Sequence, residues 1–242
     1  MGIKITSSAE LEKLLDALST DLIRSIHYRE LLLSIQSEIA NFPEVFAQSN
    51  TFWWQTRNAL SDSALNCLCR VYDTQHLALS LPNLLQLISE NIGYFSVEDF
   101  KTRLSGNPFV DSLAEHPRIP DASQLGMDIL LASPKDPLVN KLIVWRNNLY
   151  GHRSSSSTLE EFKNLAPFEL TWDEVRELSE RALTIYNRYQ SLFKANTWST
   201  MLPGKDDFRS LLRFAQSGLT HYRKNIENET APYINDGPPA HA

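Results

Sequence analysis

Apolar residues recur at intervals of three and four along most of this chain, and that period admits one kind of secondary structure. Leu11, Leu14, Leu15, Leu18, Leu22 and Ile26 begin the series, which runs on to about Ile39. Such spacing lines one face of a helix, whereas a strand alternates every second residue. Ser7 or Ser8 caps this helix, with Glu10 and Glu12 in its first turn, and Pro43 closes it. A second helix is predicted from about Thr51 to His76, with Trp54, Leu60, Ala64, Leu65, Leu68 and Tyr72 inward. Pro82 suits the first turn of a third, which ends near Gly93 as C-cap, and Ser96 begins a short fourth.

Residues 105–134 differ. Pro108, Pro117, Pro120 and Pro134, with Gly106 and Gly126, punctuate them, which predicts an irregular insertion with at most one helical turn. Pro137 then opens a helix through Leu138, Leu142, Ile143 and Trp145 towards Tyr150, where Gly151 stops it. Thr171, Trp172, Asp173 and Glu174 form a capping box for a helix to about Lys194. A last helix covers roughly Asp206 to Asn225, and the tail from Asn228 lacks periodicity. The reading is an all-α bundle of about five main helices with a C-terminal extra helix. Its domain plan is 1–195 for the bundle, 196–227 for the extension and 228–242 for a disordered tail. Only eight glycines in 242 residues agree with it.

Composition removes several classes. Hydrophobic content of 42% supports a packed core rather than a disordered chain. No apolar run reaches the roughly 18 residues that span a bilayer, and Met1 to Leu15 lacks a signal core. A cytoplasmic protein without membrane partners is expected. Cys67 and Cys69 lie two apart on a helix, about 200° from each other, so they read as small core residues rather than a disulfide. A net charge of −6 argues against coating nucleic acid by bulk electrostatics, yet allows a small cationic site. Lys205 to Lys224 is the most cationic stretch and reads as a solvated helix face.

No His or Cys pair has helical zinc spacing, and there is no Walker loop, dinucleotide glycine fingerprint or nucleophile elbow. Neither metal nor cofactor is expected. The segment Trp145-Arg-Asn-Asn-Leu-Tyr-Gly-His152-Arg stands apart. Six positions on a straight helix turn a residue by about 240°. A left-handed Gly151 would let His152 swing back towards Arg146 and Asn147. A guanidinium, an amide and an imidazole at one helix end suit phosphodiester chemistry, because arginine grips phosphate oxygens and histidine moves protons near neutral pH. Asn148 and Arg153 are weaker substrate-binding candidates. From these residues alone, two cations at a helix C-terminus equally serve as caps, and that role takes precedence.

The segment resembles the signature of the HEPN superfamily, an arginine followed after four to six residues by histidine, with a polar residue often next to the arginine. Arg146, Asn147 and His152 match it in turn. The long first helix and the Ala- and Leu-rich second one resemble its abortive-infection branch of AbiU2 type over roughly residues 8–195. That likeness reverses the order of the two readings. It implies a dimeric, metal-independent endoribonuclease of antiphage defence or toxin systems, whose composite site joins two protomers and whose partners are RNA and an antitoxin or other defence protein. The rival from another class is a non-catalytic RNA- or nucleotide-binding or scaffold module; a metal-dependent nuclease is the third reading. Some relatives carry a modifiable tyrosine two residues after the histidine, where this chain has Ser154.

Fourteen arginines and six histidines among 242 residues make about one chance pair at the allowed spacings, and a second pair exists, Arg70 and His76. Valine follows Arg70, and both lie inside the predicted second helix, so this pair reads as a decoy. Tyr28, Trp53, Trp145, Tyr150 and Trp172 read as packing residues.

Overall fold

A computed structural model describes residues 2–147 and 169–235. Among them are ten α-helices and no strand. They are α1 (Ser8–Glu38), α2 (Pro43–Gln48), α3 (Asn50–Val71), α4 (Leu81–Glu90) and α5 (Val97–Arg103). After these come α6 (Val110–Ala114), α7 (Ala122–Leu131), α8 (Pro137–Arg146), α9 (Trp172–Lys194) and α10 (Phe208–Asn235). None of the described helices is long and apolar enough to cross a membrane.

Caps fix where these helices start, since the first amides of a helix have no partner within it. Ser7 Oγ accepts from Glu10 N at 3.3 Å, and the Glu10 carboxylate returns to Thr6 N at 2.6 Å. At α9 the predicted capping box is complete: Glu174 N donates to Thr171 Oγ1 at 3.2 Å, and Thr171 N to Glu174 Oε2 at 2.8 Å. Ser96 accepts from Asp99 N at 3.1 Å to start α5. Gly93 has a different place from the one its residue type suggests. Asn91 is the C-cap of α4, and Gly93 lies inside a 3-10 turn over Ile92–Phe95. The left-handed C-cap belongs instead to Ala195, with φ of 53°, after α9.

The chain divides into two compact units. The first comprises Met1–Tyr28 and Asp62–Met201. Leu11, Leu15, Leu18, Leu22 and Ile26 of α1 are all buried in its core, as the period required. So are Val175, Leu178, Ala182, Ile185 and Tyr189 of α9. Buried hydroxyls there find carbonyls, as they must to offset desolvation. Tyr72 Oη donates to Leu178 O and Tyr186 Oη to Leu15 O, each at 2.9 Å. Cys67 and Cys69 are free and buried.

Residues 105–134 are more ordered than their prolines and glycines suggest. They contain α6 and the ten-residue α7, which is capped by Asp121 through Gln124 N at 2.8 Å and packs on α4. Long-range polar contacts hold this segment to α9. Buried Asp128 accepts from Tyr189 Oη at 2.7 Å and pairs with Arg188. Arg118 stacks 4.2 Å from the Phe100 ring centre and donates to Ser191 O at 3.0 Å. Those partners lie some 60 to 73 positions away, so local punctuation gave no sign of them.

The second unit comprises Arg29–Ser61 and Leu202–Ala242. Its core is small, with Ile35, Val45, Phe46 and Leu212 buried and Trp53, Phe208 and Leu219 partly so. The Phe46 and Trp53 rings lie 4.7 Å apart. Glu38 pairs with Arg209 at 2.6 Å and Glu44 with Arg223 at 2.7 Å. Several boundaries differ from the periodic reading. Pro43 opens α2 directly after closing α1. Trp54, expected inward, is 51% exposed. α3 stops at Val71 rather than near His76. The last helix runs to Asn235, so the stretch from Asn228 to there is helical rather than disordered; residues 236–242 lie outside the described residues.

Candidate active site

α8 presents the motif arginine. Asp136 caps its start by accepting from Leu138 N and Val139 N, both at 3.0 Å, and Pro137 sits in the first turn where no amide bond is lost. Two ion pairs fix α8 on α9: Lys141 with Glu174 at 2.6 Å, and Asp136 with Arg181 at 2.9 Å. Val139 and Leu142 are buried, while Trp145 packs partly buried against the same core. Arg146 therefore stands in the last turn of an anchored helix.

Its guanidinium does not cap that helix. Arg146 Nη1 donates to Asp73 Oδ1 and Nη2 to Asp73 Oδ2, each at 3.0 Å. The side chains are 24% and 14% exposed, so the pair is neither loose on the surface nor sealed in the core. Asp73 is itself positioned. Tyr72, the residue before it, is tied to α9, and Gln75 N donates to Asp73 Oδ1 at 3.0 Å. Both charges act on Cys69, but burial dominates and pushes its thiol up to about 12. That thiol is not a nucleophile near neutral pH.

The fork keeps reactive capacity. A guanidinium has five N–H donors, and a carboxylate bound across both terminal nitrogens takes one from each. Three donors, including Nε–H, remain for a phosphate.

Asn147 follows as C-cap and is exposed, its amide shared between the Ile143 and Val144 carbonyls. Asn148, Tyr150, Gly151, His152, Arg153 and Ser154 lie outside the described residues. Of the predicted catalytic set, Arg146 and Asn147 are placed together at one helix end. No three His, Cys, Asp or Glu side chains among the described residues gather so as to hold a metal ion.

Sequence reasoning missed Asp73. It lies between Arg70 and His76, in the segment that read as a decoy. Arg70 of that segment chelates Asp21 at 2.6 and 2.9 Å, and His76 is exposed in the loop after α3. The decoy is thus no second active site, yet it supplies the carboxylate that holds the motif arginine.

A family model for AbiU2, of the HEPN class, matches residues 8–214. The chain belongs to the AbiU2 family of HEPN proteins. The match covers α1 through α9, including the Arg146–His152 segment, and ends within the first two turns of α10, further than the likeness over 8–195 implied. It makes the chain a HEPN-type abortive-infection protein with an all-α fold. No curated protein and no solved structure matches it.

Proposed function

We propose that this protein is a metal-independent endoribonuclease acting in antiphage defence or as a toxin. The carrying observation is that a chain of this family holds its motif arginine in a bidentate clamp at the end of an anchored helix, with donors to spare. A ribose 2′-hydroxyl attacks the adjacent phosphorus as the P–O5′ bond breaks, leaving a 2′,3′-cyclic phosphate and a 5′-hydroxyl. His152 takes the proton from the 2′-hydroxyl or supplies one to the departing oxygen. Arg146 stabilises charge on the phosphorane-like transition state, and Asn147 orients phosphate or imidazole. Two motif copies across a two-fold axis supply base and acid together. Asn148 and Arg153 add contacts to the RNA backbone. An antitoxin or other defence protein restrains the activity in the cell.

Asp73 is a positioning residue in this scheme. It fixes the plane of the guanidinium, much as an orienting carboxylate fixes a catalytic base. Asp73→Asn keeps the shape and removes the charge, so the rate falls by roughly 10- to 100-fold, the scale of a misplaced group. The readout is kcat, with KM for short RNA little changed.

Purified protein incubated with RNA in EDTA tests the main reading. His152→Ala and Arg146→Ala each lower cleavage by about 10²–10⁴. Cleavage unaffected by either change, or no cleavage under any condition, returns the protein to the binding-module reading, and inhibition by EDTA to a metal-dependent one.

A further inference from the structure

α10 carries two apolar stripes, and the second unit uses one. Leu212, with Phe208 and Leu219 beside it, turns into the small core. Leu211, Phe214, Tyr222 and Ile226 do not, and they are 66%, 74%, 63% and 41% exposed. On a helix these four, with Gly218 between them, fall within an arc of about 120°. Monomeric proteins seldom leave a continuous apolar face this large without a use for it.

Gly218 sharpens the point. It sits in the middle of the 28-residue α10, where glycine costs about 1 kcal/mol against alanine. Its φ is not positive, and a Cβ built there meets nothing within 4 Å. The unit's own packing gives no reason for a glycine. Close approach of another backbone does.

The sequence around Gly218 also reads the same in both directions. Phe214 and Tyr222 lie four residues before and after it, and Leu211 and Asn225 lie seven, with Ile226 next. Two copies of α10 crossing antiparallel at Gly218 would set Phe214 of one against Tyr222 of the other, and Leu211 against Asn225 and Ile226. That is the self-complementarity a two-fold interface demands. At these exposures the stripe offers roughly 500 Å² per copy, or about 1,000 Å² in a pair, the size at which specific interfaces begin. Gly218, Tyr222 and Ile226 lie beyond the family match, so this face is separate from the HEPN motif.

We infer that the apolar stripe of α10 is a homodimer surface, with two antiparallel helices crossing on a two-fold axis at Gly218. Sedimentation of the full chain at tens of micromolar should give a dimer. Phe214→Asp with Tyr222→Asp should give a monomer of unchanged helicity, since neither side chain is in the core. Gly218→Ala should raise the helix stability of the monomer while weakening association at least tenfold, a combination that a purely structural glycine would not show. Gly218→Cys should crosslink two chains under mild oxidation, whereas the wild type, with both native thiols buried, should not. A wild type that stays monomeric overturns the inference. So does a dimer that survives the double aspartate change, or one in which Gly218→Cys never crosslinks. Arg146→Ala and His152→Ala should leave association through α10 intact, so this test and the cleavage test fail independently.

Discussion

The two units solve the problem of apolar surface differently. The first buries whole faces of α1, α4 and α9 around one core and satisfies its buried hydroxyls with long-range carbonyls. The second has four fully buried apolar residues, relies on Glu38–Arg209 and Glu44–Arg223 beside them, and leaves a stripe of α10 in water. A chain segment too short to enclose its apolar residues must share them with something else. The first unit is therefore where the chemistry is held rigid, and the second is where the protein is suited to meet a copy of itself.

That contrast breaks most directly by truncating one buried leucine in each unit. Leu178→Ala and Leu212→Ala both remove a side chain with 0% exposure. The first should cost about 3–5 kcal/mol and the second about 2, because a small core collapses more readily around the gap. Chemical denaturation measures both, and equal or inverted costs would erase the distinction. A smaller effect of opposite sign belongs to Ala195, the left-handed C-cap of α9, with φ of 53°. Ala195→Gly should stabilise the first unit by about 1 kcal/mol, seen as a raised denaturation midpoint.

Acid should separate the units by pH. Burial holds His27, in the first unit, below its ordinary 6.5. The unfolded state binds the proton first, so the stability due to a neutral His27 is present above that value and lost as pH falls below it. In the second unit, Glu38 is held below the ordinary 4.5 by hydrogen bonds from Asn41 and Arg209, and Glu44 by those from Arg223 and Gln216. Their contribution is present above 4.5 and lost as pH falls further. Glu174 in the first unit, held down chiefly by Lys141, behaves likewise. Hydrogen exchange should therefore show α9 loosening before α10 as pH drops from 6.5 towards 4.5, with His27→Gln abolishing the early phase. The smallest effect concerns the thiols. Burial raises both, Cys69 to about 12, so maleimide should label neither at pH 8 until the first unit unfolds.

Much of this architecture is written locally. The three-to-four period of α1 and α9, the Ser96 cap and the Thr171–Glu174 box depend on residues within a turn of one another, and the helices start where those residues say. The motif segment from Arg146 to His152 is equally legible, because it is a short pattern and the family match contains it. Trp54 facing water, α7 replacing an irregular stretch and Asp73 clasping Arg146 are not legible in that way.

What the sequence determined by itself is the class of element, its starting points and the residue types gathered at the end of α8. Only the tertiary structure decided which carboxylate meets the arginine, 73 positions away, and which of two apolar stripes on α10 finds a core. The physical reason is range. Helix periods and caps are set by contacts three or four residues apart, whereas partners are set by how distant faces pack, which no local pattern records.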